Sequence, residues 1–201
     1  MGSEAAVNPA IRAAAVRPAV RDELIDAMLR WSEEFVEQPQ PVFGNLPVCP
    51  FAKAARLRRT IRFEVMPFDG MDPLEEAGAV LTLVREFSRQ PEFETLFVIH
   101  PERDRLSARA LETFVSRLNA RMLADASTCH FQVFEAHPDS QFCVGGVYTR
   151  RGPYPSFQVL SRALLKTSSD SLLGSQYYDQ FTPEMLKMVG MPRERYTRGG
   201  R

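Results

Sequence analysis

Apolar residues at Leu24, Ile25, Met28, Leu29, Trp31 and Phe35 recur with a period of roughly 3.6 residues, which predicts one amphipathic helix over 21–37. The proline-rich stretch QPQPVFGNLPVCP stops it. A short helix over 51–57 is predicted next, because Pro50 suits the first helical turn and Phe51, Ala54, Ala55 and Leu57 can pack. In TIRFEVMPF, Ile61, Phe63 and Val65 alternate with Arg62 and Glu64, the period of a half-buried strand.

One rhythm then repeats. A helix over 74–88, with Leu74, Ala77, Leu81, Val84 and Phe87 on one stripe, leads into the strand-like LFVIHP at 96–101. A second helix over 107–124 leads into HFQVFEAHP at 130–138. Strand, helix, strand, helix, strand predicts the α/β class: a small, mainly parallel sheet from a β-α-β-α-β core, with an N-terminal helix and C-terminal helices packed around it. After the glycine- and proline-rich DSQFCVGGVYTRRGPYP, Ser156 reads as the N-cap of a helix, FQVLSRALLK. Thr182, Pro183 and Gly190 read as the cap, first turn and stop of a last helix, TPEMLKMVG. The expected organisation is a flexible lead-in at 1–20, a single α/β domain at 21–190 and a basic mobile tail at 191–201.

Composition narrows the partners. Twenty-five basic and 25 acidic side chains cancel, removing the positive field that nucleic-acid or anionic-membrane binding relies on. The partner expected is a small-molecule substrate rather than a nucleic acid or a membrane, with an oligomer or larger assembly left open. Only three cysteines, Cys49, Cys129 and Cys143, suit a reducing compartment, and no apolar run approaches the ~18 residues of a spanning helix, so a cytoplasmic location is expected. The arginine-containing AAVNPAIRAAAVRPAVR makes organellar import the minor alternative. Ala6 stands where a myristoylation signal wants Ser or Thr.

Candidate chemistry gathers at predicted strand ends. His100-Pro101 and His137-Pro138 close the second and third strands, and proline stops a ladder, so both imidazoles are expected at the carboxyl rim where α/β ligands collect. His130, at a strand start, is expected at the opposite rim. Cys49 precedes Pro50 at a helix start, where unpaired N–H groups favour a thiolate, and Lys53 and Arg56 would add to the effect. Cys49 is therefore a candidate nucleophile, redox thiol or soft metal ligand; the competing reading is a small buried hydrophobe under a proline turn. Asp139 is a candidate to orient a histidine or accept a proton, against an ordinary turn role. Gln141, Arg150, Arg151 and Tyr154 are the candidate substrate contacts, the arginine pair as a fork for a carboxylate or phosphate. Nucleotide-loop, zinc-protease and serine-hydrolase motifs do not occur in the sequence.

The blocks NLPVCPFAKA, LFVIHP, AHPDSQF and YTRRGPYPSFQVLSRA together resemble domain-of-unknown-function family 1415, whose pattern carries LNLCPFAK, an IHP strand end, FHPDYQF and TNRSPYPTLHLLREAS in the same order. The resemblance covers about residues 25–190 and includes Cys49, His100, His137, Asp139, Gln141, Arg151, Tyr154 and Arg162. Ser140, Cys143, Arg150 and Gly152 depart from it, which implies a different substrate if an activity is shared. The resemblance brings no reaction with it.

These residues suggest a small-molecule enzyme with a Cys/His site at the carboxyl rim. In one version Cys49, His100 and His137 hold iron, copper or a haem in a metal- or haem-dependent oxidoreductase. In the other, Cys49 acts as a covalent nucleophile with His137 and Asp139 as its acid–base partners. The alternative is a non-catalytic binding or assembly subunit retaining the fold.

Overall fold

The computed structural model describes residues 16–68, 78–189 and 191. Helix α1 (Pro18–Trp31) starts with proline in its first turn and continues as a π-helical stretch over Ser32–Val36. Two short strands, β1 (Pro39–Gln40) and β2 (Leu46–Pro47), form an antiparallel hairpin turned by Gly44 and Asn45, both at φ 64°. Helix α2 (Ala52–Arg58) precedes strand β3 (Ile61–Val65). Helix α3 (Ala79–Phe87), strand β4 (Thr95–Ile99), helix α4 (Ala108–Leu123) and strand β5 (Phe131–Ala136) follow in the expected rhythm. Ser107 caps α4, its Oγ accepting the N–H of Ala110 at 3.2 Å. Expectations placed on residues 1–15, 69–77, Gly190 and 192–201 lie outside the described residues.

One segment departs from the sequence reading. Residues expected to begin a helix at Ser156 form strand β6 (Ser156–Ser161), and helix α5 (Arg162–Ser171) starts only after it. The true N-cap is Ser161, which accepts the N–H of Leu164 at 3.0 Å. Phe157 and Val159 alternate with Gln158 and Leu160, a period of two that tertiary pairing selects over the helical reading. Strand β6 inserts antiparallel between β4 and β5, giving the order β3-β4-β6-β5. Strands β3 and β4 are parallel, and β5 runs the same way, so the sheet is mixed rather than mainly parallel. Helix α6 (Pro183–Met188) keeps its expected cap, with Thr182 accepting the N–H of Met185 at 3.2 Å.

The register divides the sheet into two unlike faces. Leu96, Val98, Val133, Phe157 and Val159 point to one side, where α3 and α4 cover them in the main core with Leu81, Val84, Leu111, Phe114 and Leu118. The outer edge of β5 is closed at Val133, whose N–H and C=O both bond the Asn119 amide from α4, at 2.9 and 3.0 Å. On β3, Arg62 and Glu64 pair on the same side, a charged guard on the other edge strand. The second face carries Ile61, Phe63 and Val65 opposite Thr95, Phe97 and Ile99, and onward to Gln158 and Phe134. Helix α1 covers its β3–β4 end through Leu24, Met28 and Ile99. A separate cluster of Phe43, Val144, Leu172, Tyr177, Tyr178 and Leu186 joins the hairpin to the C-terminal segment.

Candidate functional site

Between the second sheet face and its cover lies a cleft of about 360 Å³. Its floor is set by strand alternation: Ile61 and Phe63 of β3, Thr95 and Phe97 of β4, Gln158 and Leu160 of β6, Phe134 and Ala136 of β5. The cover comes from the chain around Trp31, Val36 and Cys49 on one side and from Leu165, Ser169 and Tyr178 on the other. Most of these side chains are apolar, and the volume falls in the roughly 300–1,000 Å³ range of small-molecule sites.

Cys49 stands in the cleft wall, half-buried. Its N–H donates to Val36 at 3.1 Å and its carbonyl accepts from Ala52 at 3.2 Å, so the Cys49-Pro50-Phe51-Ala52 turn hangs from the π-helical stretch. Burial pushes the thiol up from its ordinary value, outweighing the lowering influence of the Phe51 and Ala52 backbone N–H groups, and the Glu37 carboxylate adds to the rise. This reverses the expected activation. Of the two cations expected to add to it, Arg56 is engaged: its guanidinium holds Glu37 by two bonds of 2.8 and 2.9 Å and reaches Glu33 at 2.6 Å. Beside the thiol, the Tyr177 hydroxyl donates to the Val48 carbonyl, and burial keeps that phenol protonated.

Arg150 also lines the cleft, over the Phe142 ring at 3.9 Å and the Phe134 ring at 5.7 Å, with its charge paired to Glu135. At the opposite end Arg58 pairs with Glu94 at 2.6 Å. Both lining cations are thus matched by carboxylates, and no net charge is left to select an anion. Arg151 lies outside the lining, over the Tyr148 ring at 3.5 Å, donating from Nε to the Ser140 carbonyl at 3.0 Å. Tyr154 packs against the α1 cluster. Asp139 and Gln141 are exposed, and the Gln141 amide donates to the Asp139 carbonyl at 2.9 Å.

The histidines follow strands that run the same way, so they share a rim, but their imidazoles turn back onto the backbone. Nδ1 of His137 accepts the N–H of Asp139 at 3.0 Å, and Nε2 donates to the Leu106 carbonyl at 2.7 Å. His100 repeats the motif, its Nδ1 lying 3.0 Å from the N–H and 2.9 Å from the C=O of Glu102, with its ring edge-on to Phe68. Both rings are buried and neither lines the cleft. Among the described residues no three His, Cys, Asp or Glu side chains form a group able to hold a metal ion, so the expected Cys49–His100–His137 ligand set is not assembled. The physical reason is local: an imidazole before proline can close a two-residue turn on the next free N–H, which fixes it inward. His130 is exposed at the start of β5.

Sequence reasoning passed over Gln158, Glu37, Tyr177 and Tyr178. The glutamine was hidden by the helical reading of its segment. A clue to Glu37 lay in the acidic pair Glu33 and Glu37 at i,i+4, ready for one arginine.

Fold and cleft together define a mixed α/β protein with one sheet face sealed and the other opening onto an apolar cleft. The chain belongs to the family described as "Protein of unknown function (DUF1415)", whose family model matches residues 24–178. That span holds the whole cleft floor, Cys49, Tyr177 and Tyr178, and leaves out α6. No curated protein and no solved structure matches the chain. Among the described residues no helix is long and apolar enough to cross a membrane.

Proposed function

We propose that this protein binds a neutral, largely apolar small molecule in the cleft and presents the Cys49 thiol to it. The observation that carries the reading is the unlike treatment of the two sheet faces. One is sealed by α3 and α4, while the other leaves Ile61, Phe63, Phe97 and Leu160 half-buried around open volume. Titration with the neutral fluorescent probe N-phenyl-1-naphthylamine should give a saturable, one-to-one signal accompanied by a change in Trp31 emission. Leu160→Trp, which fills the floor, should weaken it about tenfold or more. A signal that fails to saturate, or is indifferent to Leu160→Trp, removes the reading.

A second reading keeps the oxidoreductase version with Cys49 as the one protein ligand to a haem iron. What favours it is that the backbone N–H groups of Phe51 and Ala52 lower the thiol's value against burial, an influence that would also favour a thiolate bound to a metal. Haemin added to the wild type and to Cys49→Ser separates the two readings. A thiolate-type absorption band lost in the variant supports the second, and identical spectra support the first.

A further inference from the structure

The floor of the cleft is apolar except at a few positions, and Gln158 is the one at its centre. Its direct cross-strand partners are Phe97 on β4 and Phe134 on β5, and the next floor residue along β6 is Leu160. Its side-chain amide, half-buried, has no hydrogen-bond partner among the described residues. The amide opens onto the cleft rather than being sealed off, so its donor and acceptor face whatever enters there, water or ligand. A β-branched or aromatic residue would be the ordinary occupant of a central strand.

From this we infer that Gln158 reads the edge of a planar heteroaromatic ligand carrying a ring N–H next to a ring C=O, a cyclic amide. The inference rests on the cleft reading above and specifies its ligand class. A carboxamide offers an N–H and a C=O side by side in one plane, so two parallel hydrogen bonds form with a partner of the reverse arrangement. Aromatic side chains surround Gln158: Phe97, stacked on Phe63 at 5.8 Å, is its partner on one neighbouring strand and Phe134 on the other, while Trp31, Tyr178 and Phe181 also line the cleft. Flat rings fill such a slot with little entropy loss, and ring faces match ring walls. Neutrality follows from the two lining arginines being paired with Glu135 and Glu94.

The experiment compares three neutral probes on the full chain: 2-quinolinone, its N-methyl derivative, which lacks the donor, and N-phenyl-1-naphthylamine as reporter of the cleft. In the wild type, 2-quinolinone should displace the reporter at concentrations about tenfold or more below those needed for the N-methyl compound, the discrimination expected when a built hydrogen bond is removed. In Gln158→Leu the reporter should still bind and the preference should vanish. Gln158→Met gives the same comparison should the leucine variant fold poorly. Equal displacement by both quinolinones in the wild type, or a preference that survives in either variant, overturns the assignment to Gln158 while leaving the cleft reading standing. Failure of the reporter to bind the wild type overturns both.

Discussion

Nε2 of His137 donates to the carbonyl oxygen of Leu106 at 2.7 Å, joining the end of β5 to a loop 31 residues earlier in the chain. The other ring nitrogen closes the turn on Asp139, so this buried side chain is a strut between two backbone segments. His137→Ala should destabilise the fold by roughly 2 to 4 kcal/mol, the cost of a buried cavity and two orphaned backbone groups. His137→Asn, able to cap Asp139 but too short for Leu106, should lose about half as much. Chemical denaturation measures both. An alanine variant within about 0.5 kcal/mol of the wild type would remove the strut.

Cys49 should behave as a thiol rather than a thiolate at neutral pH. In a Cys129→Ala/Cys143→Ala background, alkylation by iodoacetamide should be slow at pH 7 and rise with a midpoint above the ordinary value of 9.0. The stability linked to this group is in place below 9.0 and lost as pH climbs through the raised folded-state value. An alkylation midpoint below 9.0 would mean that the Phe51 and Ala52 N–H groups outweigh burial after all.

Glu37 points the other way. Its bonds to Arg56 hold the carboxyl below its ordinary value of 4.5, against the opposing effect of burial, with the Ser32 hydroxyl helping at 2.9 Å. The stability it contributes is therefore present above 4.5 and lost as pH falls through the lowered folded-state value. Glu37→Gln should cost about 2 kcal/mol at neutral pH and flatten the acid limb of a melting curve series below about pH 5. An unchanged acid limb would show that this carboxylate is not the group responsible.

Gly145 and Gly146, at φ 54° and 89°, turn the loop between Val144 and Val147. A Cβ on Gly145 would come within 2.1 Å of Val42 Cγ2, which ties this loop to the hairpin of β1 and β2. Gly145→Ala should destabilise by about 2 kcal/mol or more, and adding Val42→Ala should recover the steric share but not the backbone share. Thermal melts of the two variants give both parts. Full recovery would mean that the left-handed conformation costs little there.

Periodicity located α1, α3, α4 and three strands well, because long stripes and clean alternation leave one reading. It failed at 156–161, where Phe157, Leu160, Leu164 and Leu165 fit a helical stripe while Phe157 and Val159 fit a strand, and six residues are too few to decide. That failure also hid Gln158, since a residue's face cannot be assigned before its element is. Residue type singles out Cys49 and Arg150, and both line the cleft. The two histidines were placed at the correct strand ends, but the direction of an imidazole depends on which N–H lies two residues on, a matter of turn geometry that composition does not record.

The position of β6 also orders assembly. Helix α4 carries the chain from β4 to β5, leaving a slot one strand wide between them that only residues 156–161 close. Until synthesis reaches that segment, two neighbouring backbone edges stand bare, and an identical segment from another nascent molecule would fit equally well. Exchange of β6 between copies is thus the misfolding route this topology invites.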